Sequence, residues 1–255
     1  MQHRTIEQTD WPAWARRQLL GAIMAADAHA AGNGPSTLAG RLYHSWFTPP
    51  VVETPRALLR LPLVGLYRQA HAGSTRRVVD DDEVQVIDRR DVLGRDRWWR
   101  TWGSQWSPSR SRSRSVRLLL SPEMAALPEF VHVATAALLG LDQPWLLAMP
   151  TLPSRLRHSG SAVIYLPDDA GLHHDISAAL SGYMRADTPP LCLPLAPGVA
   201  LAEDPGNGMT FGEHRSHLVA LALEPRPREP LRAIAEVFGA HGLSSAEPHR
   251  SSGLG

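Results

Sequence analysis

Residues 194–220, PLAPGVALAEDPGNGMTFGEHRSHLVA, carry the pattern that organises the reading of this chain. Val199 to Ala202 predicts a short strand, and an acidic pair follows at Glu203 and Asp204. Pro205-Gly206-Asn207-Gly208 predicts a turn. Thr210-Phe211-Gly212-Glu213 fits a capping box, with Thr210 as N-cap and Glu213 at N3. The helix it opens runs from Phe211 to Leu223, and His214, His217, Leu218 and Leu221 share one of its faces. Arg215 projects about 100° around from His214. A helix start offers free N–H groups and the positive end of a dipole, which favour an anion and lower the pKa of a nearby histidine. Two readings stay open at this point. One is an anion site built from His214 and Arg215; the other is a capped surface helix whose Arg pairs with a carboxylate. Likewise Glu203 and Asp204 form either a plain acidic turn or a pair that steadies the Arg and His.

Outward from this segment, a last helix is predicted over Pro230–Ala240, and the stretch from Ser244 to Gly255 reads as a flexible tail. On the N-terminal side, residues 10–31 predict a helix capped by Asp10, with Trp14, Leu19, Leu20, Ile23 and Met24 at roughly helical spacing. Ser36 caps a second helix reaching Phe47, and Thr54-Pro55 starts a third that Pro62 interrupts. Arg76–Val79 and Glu83–Ile87 flank an acidic turn and predict a hairpin. Val116–Leu120, Trp145–Met149 and Ala162–Leu166 read as strands, and Ile176–Arg185 as helix. A helix starts at Ser121-Pro122-Glu123, with Pro128 as an interruption. The result is an α+β fold: a helical N-terminal region over 1–73, then a mixed sheet with packed helices over 74–243, then the tail 244–255.

Composition excludes several chemistries. The 26 basic residues are all arginine, so no lysine base, Schiff base or P-loop lysine exists. One cysteine, Cys192, permits no intrachain disulfide; it sits between leucines as a buried thiol would. No apolar run approaches the roughly 20 residues that span a bilayer, and no signal-peptide pattern opens the chain. The expectation is a cytoplasmic protein with no membrane partner. Residues 95–117 hold seven arginines, one acid (Asp96) and Trp98, Trp99, Trp102 and Trp106. Arginine with aromatics suits single-stranded nucleic acid, an acidic or phosphorylated peptide, or a loop packed over tryptophans. The net charge of +1 argues against nucleic acid. HExxH, paired cysteines, Walker A, GxGxxG and GxSxG are absent, so neither a metal centre nor a cofactor is expected, His173, His174, His214 and His217 included.

The segment resembles the closing motif of the HopA-type type III effector family, specifically its free-standing actinobacterial members, which carry a LAPG–LAEDPG–SFG–HR pattern. The matching residues are Leu195-Ala196-Pro197-Gly198, Leu201-Ala202-Glu203-Asp204-Pro205-Gly206, Thr210-Phe211-Gly212 and His214-Arg215. Weaker echoes are Leu42-Tyr43 with Trp46-Phe47, Val116-Arg117-Leu118 before Ser121-Pro122-Glu123, and Val163-Ile164-Tyr165-Leu166-Pro167. The resemblance implies a component of a ribosomal-peptide dehydratase, in a lanthipeptide or thioamitide pathway, with a kinase-like protein and a precursor peptide as partners. The kinase phosphorylates Ser or Thr, and this component eliminates phosphate to leave dehydroalanine or dehydrobutyrine. That step needs an acid, a base and cations. His214 is then the catalytic candidate, Arg215, Arg157 and Arg117 the phosphate-binding ones, with Glu203 and Asp204 in support. The chain departs from the family at the lysine base: Ala148 stands where members place a lysine, and the acidic residue near Gly160 is missing. The resemblance therefore also allows a non-catalytic subunit that binds the kinase-like protein or the precursor.

Overall fold

The computed structural model describes residues 10–28, 35–50, 62–79, 82–87, 91–106 and 115–251. In chain order come helices α1 (Ala13–Ala28) and α2 (Pro35–Leu42), a π-helical turn Tyr43–Phe47, and helix α3 (Leu63–Ala70). Strands β1 (Thr75–Val79), β2 (Asp82–Val86), β3 (Asp91–Leu93), β4 (Trp98–Trp102) and β5 (Ser115–Leu120) follow. Next are α4 (Leu127–Leu139), β6 (Leu146–Pro150), β7 (Ala162–Pro167) and α5 (Ala170–Leu180). Strands β8 (Leu193–Ala196) and β9 (Val199–Glu203) and helices α6 (Phe211–Leu223) and α7 (Pro230–Ala240) complete the order. The α+β expectation holds, with helices leading and a sheet following. The helix start at Thr54-Pro55, the turn residues Asp80-Asp81 and the Ser/Arg run 107–114 lie outside the described residues.

Contacts divide the chain into two units that interleave in sequence. One comprises Met1–Pro49, Pro190–Cys192 and Ala202–Gly255; the other comprises Pro50–Pro189 and Leu193–Leu201. The division thus differs from a single break near Gly73. Residues from Ala202 onward group with the leading helices.

In the first unit, α1 buries Ala15, Leu19 and Ala22, spaced i, i+4 and i+7 on one face. Leu20 and Met24, which the apolar spacing places with that face, are instead 48% and 73% exposed. The buried stripe is mostly alanine, and its small side chains let neighbours approach the helix closely. Trp46 donates its indole N–H to the Gln18 carbonyl at 2.9 Å, and the Gln18 side chain accepts from the Leu191 N–H at 2.8 Å. Phe47 lies 6.1 Å from Phe211, centroid to centroid. A Cβ on Gly212 would run into the Phe47 ring, so the first turn of α6 packs where only glycine fits.

The second unit holds a seven-stranded sheet ordered β3-β4-β6-β7-β5-β9-β8, and a separate β1–β2 hairpin. The β3–β4, β4–β6, β6–β7, β7–β5 and β9–β8 pairings are antiparallel. Strands β4 and β7 alternate between buried and half-buried residues, as one covered face requires. Trp99, Leu147, Met149, Ile164, Leu118 and Leu120 form that core with Tyr67 of α3, Phe130 and Leu138 of α4, and Ile176 of α5. Tyr67 donates its hydroxyl to the Pro150 carbonyl at 2.8 Å. His71 accepts from the Gly73 N–H through Nδ1 at 2.9 Å, so Nε2–H donates to Thr101 Oγ1 at 3.1 Å.

Four helix starts differ from expectation: α1 begins at Ala13, three residues beyond the expected cap Asp10, and α2 at Pro35, before the expected cap Ser36. Pro128 does not interrupt α4 but sits in its first turn, where its missing N–H costs nothing; a 3-10 turn Met124–Ala126 precedes it. Helix α5 begins at Ala170, well before Ile176, because the Asp169 side chain accepts from the Leu172 N–H and caps it.

Candidate functional site

The start of α6 is built as its sequence predicts. Thr210 Oγ1 accepts from the Glu213 N–H at 3.2 Å, and Glu213 Oε2 accepts from the Thr210 N–H at 2.8 Å. This reciprocal box fixes where the helix begins, and hence which way His214 and Arg215 leave it.

Arg215 is fully buried. Its Nε donates to the Pro248 carbonyl at 2.9 Å, Nη2 to the Arg250 carbonyl at 2.7 Å, and Nη1 to His214 Nδ1 at 2.7 Å. The guanidinium lies 4.5 Å over the Phe211 ring and 5.8 Å from that of Phe238. All three hydrogen-bond acceptors are neutral in this arrangement, and among the described residues no carboxylate forms an ion pair with Arg215. Burial draws its pKa down to about 10, with Cys192 and Glu203 acting in the opposite direction.

An arginine can only donate, so His214 Nδ1 must be the acceptor and its ring proton sits on Nε2. The imidazole is half-buried. Burial, then the Arg215 charge, then His241 and His217, push its pKa down to about 4. His214 is therefore neutral at pH 7, with its one ring lone pair engaged by Arg215.

Glu203 ends β9 and grips the same C-terminal segment. Its N–H donates to the His249 carbonyl at 2.9 Å, and Oε2 accepts from the Ser251 N–H at 2.7 Å. Its Oε1 accepts from Arg250 Nη1 at 2.8 Å. Residues 248–251, part of the stretch that composition reads as a flexible tail, are thus fastened from two sides. Asp204 serves the turn instead, accepting from the Gly206 N–H at 3.0 Å.

The structure brings His214, Arg215 and Glu203 together around residues 248–251. The other two expected cations belong to the second unit. Arg117 is buried on β5, 5.2 Å from the ring of Tyr165, its neighbour across the β5–β7 pairing. Arg157 ends the 3-10 turn Pro153–Arg157 and is half-buried. Ala148 pairs in register with Arg100 and Val163, and Arg100 bonds Asp96 through Nη1 at 3.1 Å. Sequence reasoning missed Pro248, His249 and Arg250. Their only signal is a Pro-His-Arg interruption in a Ser/Gly-rich run. Among the described residues, no group of three or more His, Cys, Asp or Glu side chains could hold a metal ion. Nor is any described helix long and apolar enough to cross a membrane.

No curated protein matches the chain. Solved structures similar in fold include two bacterial effector proteins. The effector protein from Pseudomonas syringae pv. tomato strain DC3000 superposes with a TM-score of 0.66 at 14% identity, over 93% of this chain and 98% of that one. The effector protein from Pseudomonas syringae pv. syringae strain 61 gives 0.62 at 14% identity, over 92% of this chain and 96% of its own. The HopA1 effector protein family matches residues 104–250, more than half of the sequence. That span takes in the His214-Arg215 motif, the β5 strand and residues 248–250, and on it the chain belongs to the HopA1 effector protein family.

Proposed function

We propose that this protein is the phosphate-eliminating component of a ribosomal-peptide dehydratase, acting in the cytoplasm on phospho-Ser or phospho-Thr of a precursor peptide, beside a kinase-like partner. The observation that carries this reading is the His214–Arg215 pair at a capped helix start. It couples a neutral imidazole to a buried guanidinium that, among the described residues, forms no ion pair with a carboxylate. In the elimination, a base takes the Cα proton, the freed electron pair becomes the Cα=Cβ double bond, and the Cβ–O bond breaks as phosphate leaves. With no lysine in the chain, His214 is the candidate base: it is neutral at pH 7, and its Nδ1 lone pair must come free of Arg215 to take the proton. Arg215 is the cation for the departing phosphate, a charge that Arg binds through paired N–H groups. Arg117 beside Tyr165 is a separate cationic position in the second unit, and the wider phosphate-binding set, Arg157 included, remains part of the proposal.

The test is to mix the protein, its kinase-like partner and phosphorylated precursor, and follow the peptide by mass spectrometry. Loss of phosphate with appearance of a dehydro residue is expected. His214→Ala should abolish this and spare the fold, because the helix cap rests on Thr210 and Glu213. Full turnover by His214→Ala would sink the base assignment. The second reading, a non-catalytic subunit that binds kinase or precursor, is favoured by Ala148 at the family's lysine position. Phosphopeptide that persists in an intact complex would establish it.

A further inference from the structure

Helix α1 turns Arg17, Leu20, Met24 and Asp27 to the outside, where all four side chains are exposed. At 100° per residue they fall within an arc of about 80°, on the side away from the buried Ala15, Leu19 and Ala22. Met24 is the most exposed large apolar side chain among the described residues, and Leu20 stands one turn before it. The order is symmetric about residue 22: Arg17 and Asp27 each lie five residues from it, Leu20 and Met24 each two. Neither charge is placed to suit the helix itself. No acidic residue lies three or four positions from Arg17, and no basic one lies so from Asp27. A cation near the helix start and an anion in its last turn also oppose the helix dipole, which favours the reverse order.

We propose that this face is a contact between two copies of the chain, in which α1 lies antiparallel to its counterpart across a two-fold axis level with residue 22. That register sets Arg17 against Asp27 of the partner subunit and Leu20 against Met24 of the partner subunit, and the symmetry repeats both contacts. A parallel pairing would instead oppose like charges at both ends, so the charges select the antiparallel arrangement. Ala13 and Ala28, exposed at the two ends of the helix, are small enough to let the pair close to the about 8–10 Å spacing of packed helices. A second copy fits this face better than an unrelated apolar surface does. The copy answers both charges at once, whereas an apolar surface would bury them unpaired. One helix face covers less than the about 1,200 Å² of a standard stable interface, so the dimer is reversible and set by concentration.

Sedimentation velocity of the full chain, over a concentration series reaching the millimolar range, tests the contact. The weight-average mass should rise from monomer toward dimer with concentration. Met24→Glu puts a carboxylate into the apolar centre of the contact and should weaken dimerisation at least about tenfold. Arg17→Asp and Asp27→Arg each turn two symmetry-related attractions into repulsions and should weaken it by about tenfold. These positions are exposed, so each variant should keep the circular dichroism of the unaltered chain. Mixing the two charge variants tests the pairing itself. One then presents an acidic face and the other a basic one, so the mixture should associate more tightly than either variant alone. The chain carrying both exchanges should recover its homodimer. A chain that stays monomeric throughout the series overturns the proposal. So does a dimer that Met24→Glu leaves unweakened, or a mixture no tighter than its components. If the chain is monomeric and Met24→Glu weakens a complex with a different protein instead, the proposal also falls and the face belongs to that partner.

Discussion

Two arginines, half-buried Arg185 and fully buried Arg215, each spend their N–H groups on main-chain carbonyls, and the two are satisfied in opposite ways. Arg185 in the second unit bonds Asp187 through Nε at 2.9 Å, and gives its remaining N–H groups to the carbonyls of Leu156 at 2.8 Å and His158 at 2.9 Å. Its charge is answered on the spot. Arg215 in the first unit gives its N–H groups to two carbonyls and a neutral histidine. The hydrogen bonds are made in both places, but only one of the charges is cancelled. A buried charge without a partner is a standing cost, and such costs concentrate where a ligand is meant to supply the missing half.

The comparison can be broken by mutation. Arg185→Met strands Asp187 and two carbonyls and should cost about 3–5 kcal/mol. Arg215→Met strands two carbonyls but also removes the unanswered charge, and should cost about 1–3 kcal/mol. Urea unfolding of both variants measures the difference. Equal losses would mean that Arg215 is as well compensated as Arg185, and the contrast would be gone.

A pH titration sharpens it. His214 and His71 are each depressed from the ordinary 6.5 to about 4, chiefly by burial, but Arg215 adds to the depression at His214 whereas Asp91 opposes it at His71. Between about 4 and 6.5 the unfolded chain binds more protons than the folded one, so stability is complete above that window and falls as pH drops through it. In Arg215→Met, the His214 resonance should titrate at higher pH while that of His71 stays near 4. An unmoved His214 would show that the Arg215 charge does not help set its pKa. The smallest effect is at the cap: Thr210→Ala should cost about 1 kcal/mol in thermal or urea unfolding. No loss there would mean that Glu213 alone holds the helix start.

Much of the fold was legible wherever local chemistry and periodicity agree. The Thr210 cap, both ends of α6 and α7, and the β1–β2 hairpin follow from capping residues and β-branched runs. Strands β3 and β4 were not legible, because β4 alternates Trp98, Arg100 and Trp102 on its half-buried face against Trp99 and Thr101 inside. Tryptophan on both faces, with a threonine buried, erases the polar–apolar contrast that marks a strand. The site was legible in part. His214 and Arg215 stand out by their motif, and their proximity to Glu203 is suggested by the turn between them. That Arg215 faces inward, held by residues 248–251, was hidden, since backbone carbonyls as acceptors leave no trace in a sequence.

The glycine of the TFG motif has a further consequence for exchanging parts between relatives. Gly212 exists to make room for the Phe47 ring, although the two lie at opposite ends of the chain. They behave as a single inherited unit. Gly212→Ala should be tolerated only alongside a smaller residue at 47, and a chimera joined anywhere between them must carry a matching pair or fail at that contact.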